Sequence, residues 1–114
     1  MALTPLEVDF LGDLANDDHA LREVFEFVRL HHGDEPTAVR RIGRELLASW
    51  YARGWLEVVN KPPDWPGYQA ASMDEVLRLV DEAESLGVEF RGADTWLGLT
   101  DQAFRDVEWL ERAS

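Results

Sequence analysis

Between Pro36 and Val59 the chain changes its hydrophobic period once, at a glycine, and that change limits the folds open to it. Val39, Ile42, Leu46 and Trp50 recur at helical spacing, with Leu47 and Tyr51 broadening the stripe, so one face of a helix is buried. Asp34-Glu35-Pro36 opens that helix with acid first and proline early, the order that suits the helix dipole and the unpaired first N–H groups. Gly54 stands where a left-handed C-terminal cap is wanted. Beyond it, Trp55-Leu56-Glu57-Val58-Val59 is aromatic and β-branched, the composition of a strand. A helix over 36–53 joined through one glycine to a strand over 55–59 calls for helices packed on a small sheet.

The flanking sequence supplies the other elements. Thr4-Pro5-Leu6-Glu7 is a capping box and predicts a helix over 5–15, with Leu6, Phe10, Leu11 and Leu14 on one side. Asn16-Asp17-Asp18 breaks it and recaps a second helix over 18–32, in which Leu21, Val24, Phe25 and Val28 face inward. Phe27 and Leu30 widen that face, and Gly33 is the stop. Asn60 to Tyr68 holds three prolines and a glycine and is a loop. Ser72-Met73-Asp74-Glu75 is a second capping box, opening a helix over 73–86 that Gly87 closes. A short strand over 88–90 and another over 95–99 follow, and Thr100-Asp101 caps a last helix over 101–112. The strands 55–59 and 95–99 are expected to pair antiparallel. The expected core is Phe25, Val28, Val39, Ile42, Leu46, Trp50, Leu56, Val58, Leu97, Leu99, Phe104 and Val107.

Composition decides which partners are open to such a fold. Hydrophobic residues at 46% and charged residues at 30% are globular proportions, so the 114 residues are expected to form one domain with its own core. No cysteine is present, which removes disulfides and thiolate metal sites and suits a reducing cytoplasm. No apolar run nears the roughly 20 residues a bilayer requires, and Met1-Ala2-Leu3-Thr4-Pro5 lacks the pattern of a signal peptide. A cytoplasmic chain with no membrane partner is expected. The net charge of −12 opposes nucleic acid, which is bound by neutralising phosphates. Residues 36–61 stand apart, with five cations against two acids, while the remainder carries six cations against 21 acids.

Ala52-Arg53-Gly54-Trp55-Leu56-Glu57-Val58 resembles the junction between recognition helix and first wing strand in winged-helix (winged helix-turn-helix) proteins. Thr95-Trp96-Leu97-Gly98-Leu99-Thr100-Asp101-Gln102-Ala103 is similar to their second wing strand running into a C-terminal helix. The resemblance follows the order of elements from 18 to 112. It implies a mainly α, winged-helix-like α+β domain over 1–114, with about five helices and a two- to three-stranded antiparallel wing. Here the wing is expanded into an excursion carrying its own helix. The family's DNA-reading helix corresponds to 36–53.

Two surfaces are candidates for binding. Arg40, Arg41 and Arg44 lie opposite Ile42 and Leu46, and either meet phosphates or an acidic partner or form a solvated face with Arg41 paired to Glu45. Their helix offers mainly Glu45, Ala48 and Ser49 beside them, a poor set for bidentate contacts to purines. Trp65 and Tyr68 sit in the proline-rich loop with no periodic apolar pattern to bury them, and act either as binding anchors or as a lid on the core edge. The pair His31-His32 beside Asp34 and Glu35 does not converge on a metal, since adjacent helical residues point about 100° apart. Asp81, Glu82 and Glu84, like Asp106, Glu108 and Glu111, lie on polar helix sides. With no phosphate loop and no nucleophile elbow, no catalytic, cofactor or metal site is expected.

The expectation is a non-catalytic protein-binding module with a basic protein partner, of the kind found as immunity proteins, antitoxins or accessory subunits of regulators. Trp65 and Tyr68 are its expected contacts, and Arg40, Arg41 and Arg44 the second surface. The alternative is a DNA-binding transcription regulator using the helix 36–53, acting as a homodimer through its N-terminal or last helix. An enzyme comes third.

Overall fold

In a computed structural model that describes residues 2–87 and 89–113, the first helix starts as its sequence predicts. The Thr4 side chain accepts from the Glu7 backbone N–H, and the Glu7 carboxylate accepts from the Thr4 N–H, opening α1 (Pro5–Asn16). Asp17 then leaves the helix in an extended conformation. The chain stays extended through β1 (His19–Ala20), where a continuous helix over 18–32 was expected, before entering α2 (Leu21–His32). Asp17 and Asp18 do not cap α2; the Glu23 carboxylate does, accepting from the Ala20 N–H at 2.9 Å. Gly33 closes α2 at φ 91°.

Next comes α3 (Pro36–Ala52), capped by the Glu35 carboxylate, which accepts from the N–H groups of Thr37 and Ala38. Those two backbone bonds, that of Ala38 first, hold the Glu35 carboxyl below its ordinary pKa. Gly54 at φ 76° turns the chain into β2 (Leu56–Val59). After the proline-rich loop, α4 (Met73–Glu82) stops at Ala83 rather than at residue 86, because Ala83 is extended. Of the short strand expected over 88–90, Val88 lies outside the described residues and Phe90 sits in a turn. β3 (Trp96–Leu99) follows, and the expected last helix breaks at Val107 into α5 (Asp101–Asp106) and α6 (Trp109–Ala113).

The three strands are antiparallel in the order β1-β3-β2, with Val58 and His19 both opposite Leu97. The fold is therefore mainly helical with a small antiparallel sheet, an α+β architecture. Gly98 in the central strand lets its neighbours close in: a Cβ there would stand 2.8 Å from Val59 Cγ2 and 2.9 Å from Asp18 Oδ1.

The buried side chains form one cluster drawn from α1, α2, α3, α4, the sheet and the C-terminal helices. Its layout corrects the expected stripe of α3. The buried positions are Val39, Gly43, Leu47 and Trp50, while Ile42 and Leu46 are half-buried on the flank. The cause is Phe25, whose ring fills the space in front of Gly43; a Cβ there would lie 2.5 Å from Phe25 Cε1. The helix approaches α2 along its glycine, which turns Leu47 inward. Val58, Leu99 and Phe104 are likewise half-buried against the core, and Leu30 is 78% exposed. Trp50 is fully buried, stacked on Phe10 with ring centroids 5.5 Å apart, and its indole N–H donates to Glu7 Oε2 at 2.9 Å.

Candidate functional site

The arginine face of α3 is occupied by α4. The two terminal nitrogens of Arg40 donate to the carbonyl oxygens of Val80 and Ala83, and Arg44 donates to both oxygens of Asp81 at 3.2 and 3.4 Å. The last carbonyls of a helix have no partners of their own, so Arg40 supplies donors to two of those at the C-terminal end of α4. Arg40 is half-buried against α4, while Arg44 is paired with Asp81 at an exposed edge of the same contact. Arg41 is exposed and makes no ion pair among the described residues. Two other cations of residues 36–61 lie over aromatic rings: Arg53 is 5.0 Å from the Trp55 ring centroid, and Lys61 Nζ is 4.1 Å from that of Trp96.

Removing α4 from this position is costly. Met73, Val76, Leu79 and Val80 are all buried, and at about 1.5–3 kcal/mol each their burial amounts to roughly 6–12 kcal/mol, an upper figure. That is comparable with the whole stability of a small domain, so α4 is a structural cover over α3, not a detachable latch.

The loop over 60–70 is held in place by polar contacts at both ends. Lys61 N–H donates to Gln69 Oε1 at 3.1 Å, Trp65 N–H to the Pro62 carbonyl at 2.9 Å, and Ala70 N–H to Thr95 Oγ1 at 2.9 Å. Tyr68 is half-buried, with its hydroxyl donating to Glu75 Oε1 and the Arg91 guanidinium 4.0 Å above its ring. Glu75 also accepts from the Ala71 N–H at 2.7 Å. The Tyr68–Glu75 bond raises the phenol pKa and, with the Ala71 N–H second, lowers that of the carboxyl. Ser72 caps α4 as expected, but Glu75 turns to Ala71 and Tyr68 instead of completing the box.

Trp65 is neither fully covered nor fully free. It packs edge-on against Trp96, centroids 5.9 Å apart at 83°, and still leaves 38% of its surface exposed. The Trp96 Nε1 beneath is buried without a hydrogen-bond partner among the described residues.

The remaining polar candidates are separate from this surface. His31 bonds Asp9 at 2.8 Å and His19 bonds Glu23 at 2.8 Å, so the histidines serve different helices. Among the described residues no group of three His, Asp or Glu side chains is arranged to hold a metal. Asp106 accepts from the Trp55 indole at 2.9 Å and from Gln102 at 2.7 Å, and these bonds, Trp55 first, lower its pKa. A lowered carboxyl is the opposite of what a general acid needs at neutral pH. Sequence reasoning missed Arg91, whose role depends on its contact with Tyr68 in the distant loop, and gave Glu75 only a place in the capping box. No helix among the described residues is long and apolar enough to cross a membrane.

No family model, curated protein or solved structure matches this chain.

Proposed function

We propose that the protein is a non-catalytic, cytoplasmic protein-binding module of acid-rich surface that engages a basic partner through Trp65. One contrast carries this reading: Trp65 presents an exposed indole from a fixed loop, while Arg40 and Arg44 are spent on α4. A large aromatic held in place loses little conformational freedom on binding, which is why such residues dominate interfaces. The charge of −12 favours a basic partner and repels phosphate. An immunity protein, an antitoxin or an accessory subunit of a regulator has this character.

A winged-helix-like origin agrees with the turn at Gly54 and with the antiparallel pairing of β2 and β3 across the long excursion. DNA reading through α3 is the weaker reading, because α4 lies along its arginine face. The test is affinity capture from native lysate, run beside anisotropy titration with genomic duplex fragments. Capture of a basic protein, lost in Trp65→Ala and kept in Arg41→Ala, is the expected result. A specific duplex bound at nanomolar concentration, and lost in an Arg40→Ala/Arg44→Ala variant that remains folded, would make the protein a DNA-binding regulator instead.

A further inference from the structure

We propose that the cleft at the C-terminal end of α4 receives a lysine or arginine side chain of the basic partner, a statement that rests on the protein-binding reading above. The cleft encloses about 360 Å³. Leu79 and Phe90 line it, buried to 5% and 4% residual exposure, so its base is apolar. Glu82, Glu84 and Glu89 line it as well, with Arg91 as the facing cation.

The charges there are unbalanced in a specific way. Glu84 and Glu89 are exposed and make no ion pair among the described residues. Glu82 is 3.8 Å from Arg78, itself shared with Glu75 at 3.6 Å. The Arg91 guanidinium lies over the Tyr68 ring and is drawn toward that face. Three carboxylates thus line an apolar base together with one cation, whose guanidinium is engaged on Tyr68. An aliphatic stem ending in a positive head matches both parts, since lysine and arginine lay their methylenes on apolar surface while the head seeks oxygen. An anion would meet like charge, and a neutral apolar group would leave the carboxylates unserved.

Arg91 both lines the cleft and covers Tyr68, so one stacked contact ties the cleft to the loop that carries Trp65 three residues earlier.

The probe is a blocked Gly-Arg-Gly tripeptide titrated into the full chain and followed by amide NMR, with a blocked Gly-Gln-Gly tripeptide as reference. Saturable shifts are expected at Leu79, Glu84 and Phe90 with the arginine peptide alone. Replacing Glu84 and Glu89 by Gln should weaken them at least about five-fold, a loss near 1 kcal/mol. The control removes equal charge from exposed acids elsewhere, Asp13→Asn with Glu26→Gln, and should leave the affinity within about two-fold. Trp65→Ala should leave tripeptide binding unchanged, which separates this proposal from the capture experiment. Shifts spread evenly over the acidic surface, or equal weakening in both charge variants, would overturn the cleft while leaving the Trp65 reading intact.

Discussion

The arginine face of α3 and the loop over 60–70 are both candidate binding surfaces in the sequence, and the fold treats them oppositely. The helix face has the stronger local signal, with three arginines on one side, and is largely consumed by α4. The loop has the weaker signal and keeps an exposed tryptophan. The difference follows from what each segment can bury. An excursion that leaves β2 and returns to β3 must place its own apolar helix somewhere, and α3 is where it lands; the guanidinium groups are then used to cap and pin the newcomer. A loop with three prolines has no regular face to hide an indole and can only rest its edge on Trp96. A cluster of like charges on a helix is evidence of exposure only when no later segment packs there.

The sharpest way to break this comparison is through the orientation of α3. Leu47→Ala should cost roughly 2–5 kcal/mol by denaturant unfolding, since it leaves a cavity in a fully buried site, and Leu46→Ala should cost less than half as much. Equal losses would mean that the helix presents a different face to α2. Next in size is Arg40→Ala, expected to cost about 1–3 kcal/mol because the carbonyls of Val80 and Ala83 lose their donor. Arg44→Ala should cost at most about 1 kcal/mol, its pair with Asp81 being well exposed. If the order were reversed, the Arg40 cap would add less to the seating of α4 than the Arg44–Asp81 pair does. Trp65→Ala should lower stability by about 1 kcal/mol or less while abolishing partner capture. A large loss of stability would make that indole a lid and nothing more.

The smallest effect concerns the Tyr68–Glu75 bond beside the loop. Glu75 has a folded pKa below 4.5, so its contribution is present above the ordinary carboxylate range and lost as pH falls through the folded value. Tyr68 has a folded pKa above 10.0, so its contribution is present below 10.0 and lost as pH rises through the folded value. Tyr68→Phe should therefore flatten the stability profile at both its acid and alkaline edges, measured by thermal unfolding across pH. A profile that keeps both slopes would place their origin elsewhere.

The parts of the fold legible in the sequence are those decided locally. The Thr4 box, the Glu35 cap and the stops at Gly33 and Gly54 all rest on residues a few positions apart. β1 was hidden because two extended residues between helices acquire their identity from Leu97 and Trp96, far along the chain. The rotation of α3 did leave a trace: a glycine in mid-helix costs about 1 kcal/mol against alanine, and Gly43 is tolerated because Phe25 needs its space. Of the candidate surface, Trp65 could be singled out from its surroundings in sequence. The fate of Arg40 and Arg44 could not, since it is decided by a helix about forty residues later.

One carboxylate has a reach larger than its place in a capping box indicates. Glu7 holds the start of the first helix with one oxygen and the indole of Trp50 with the other. Unwinding that first turn therefore withdraws a hydrogen-bond partner from the last turn of α3, and shifting Trp50 frays the N-terminal end in return. The two segments are expected to open as one cooperative unit under native conditions. The exchange rate of a single indole proton, at Trp50, then reads the detachment of the whole amino-terminal helix.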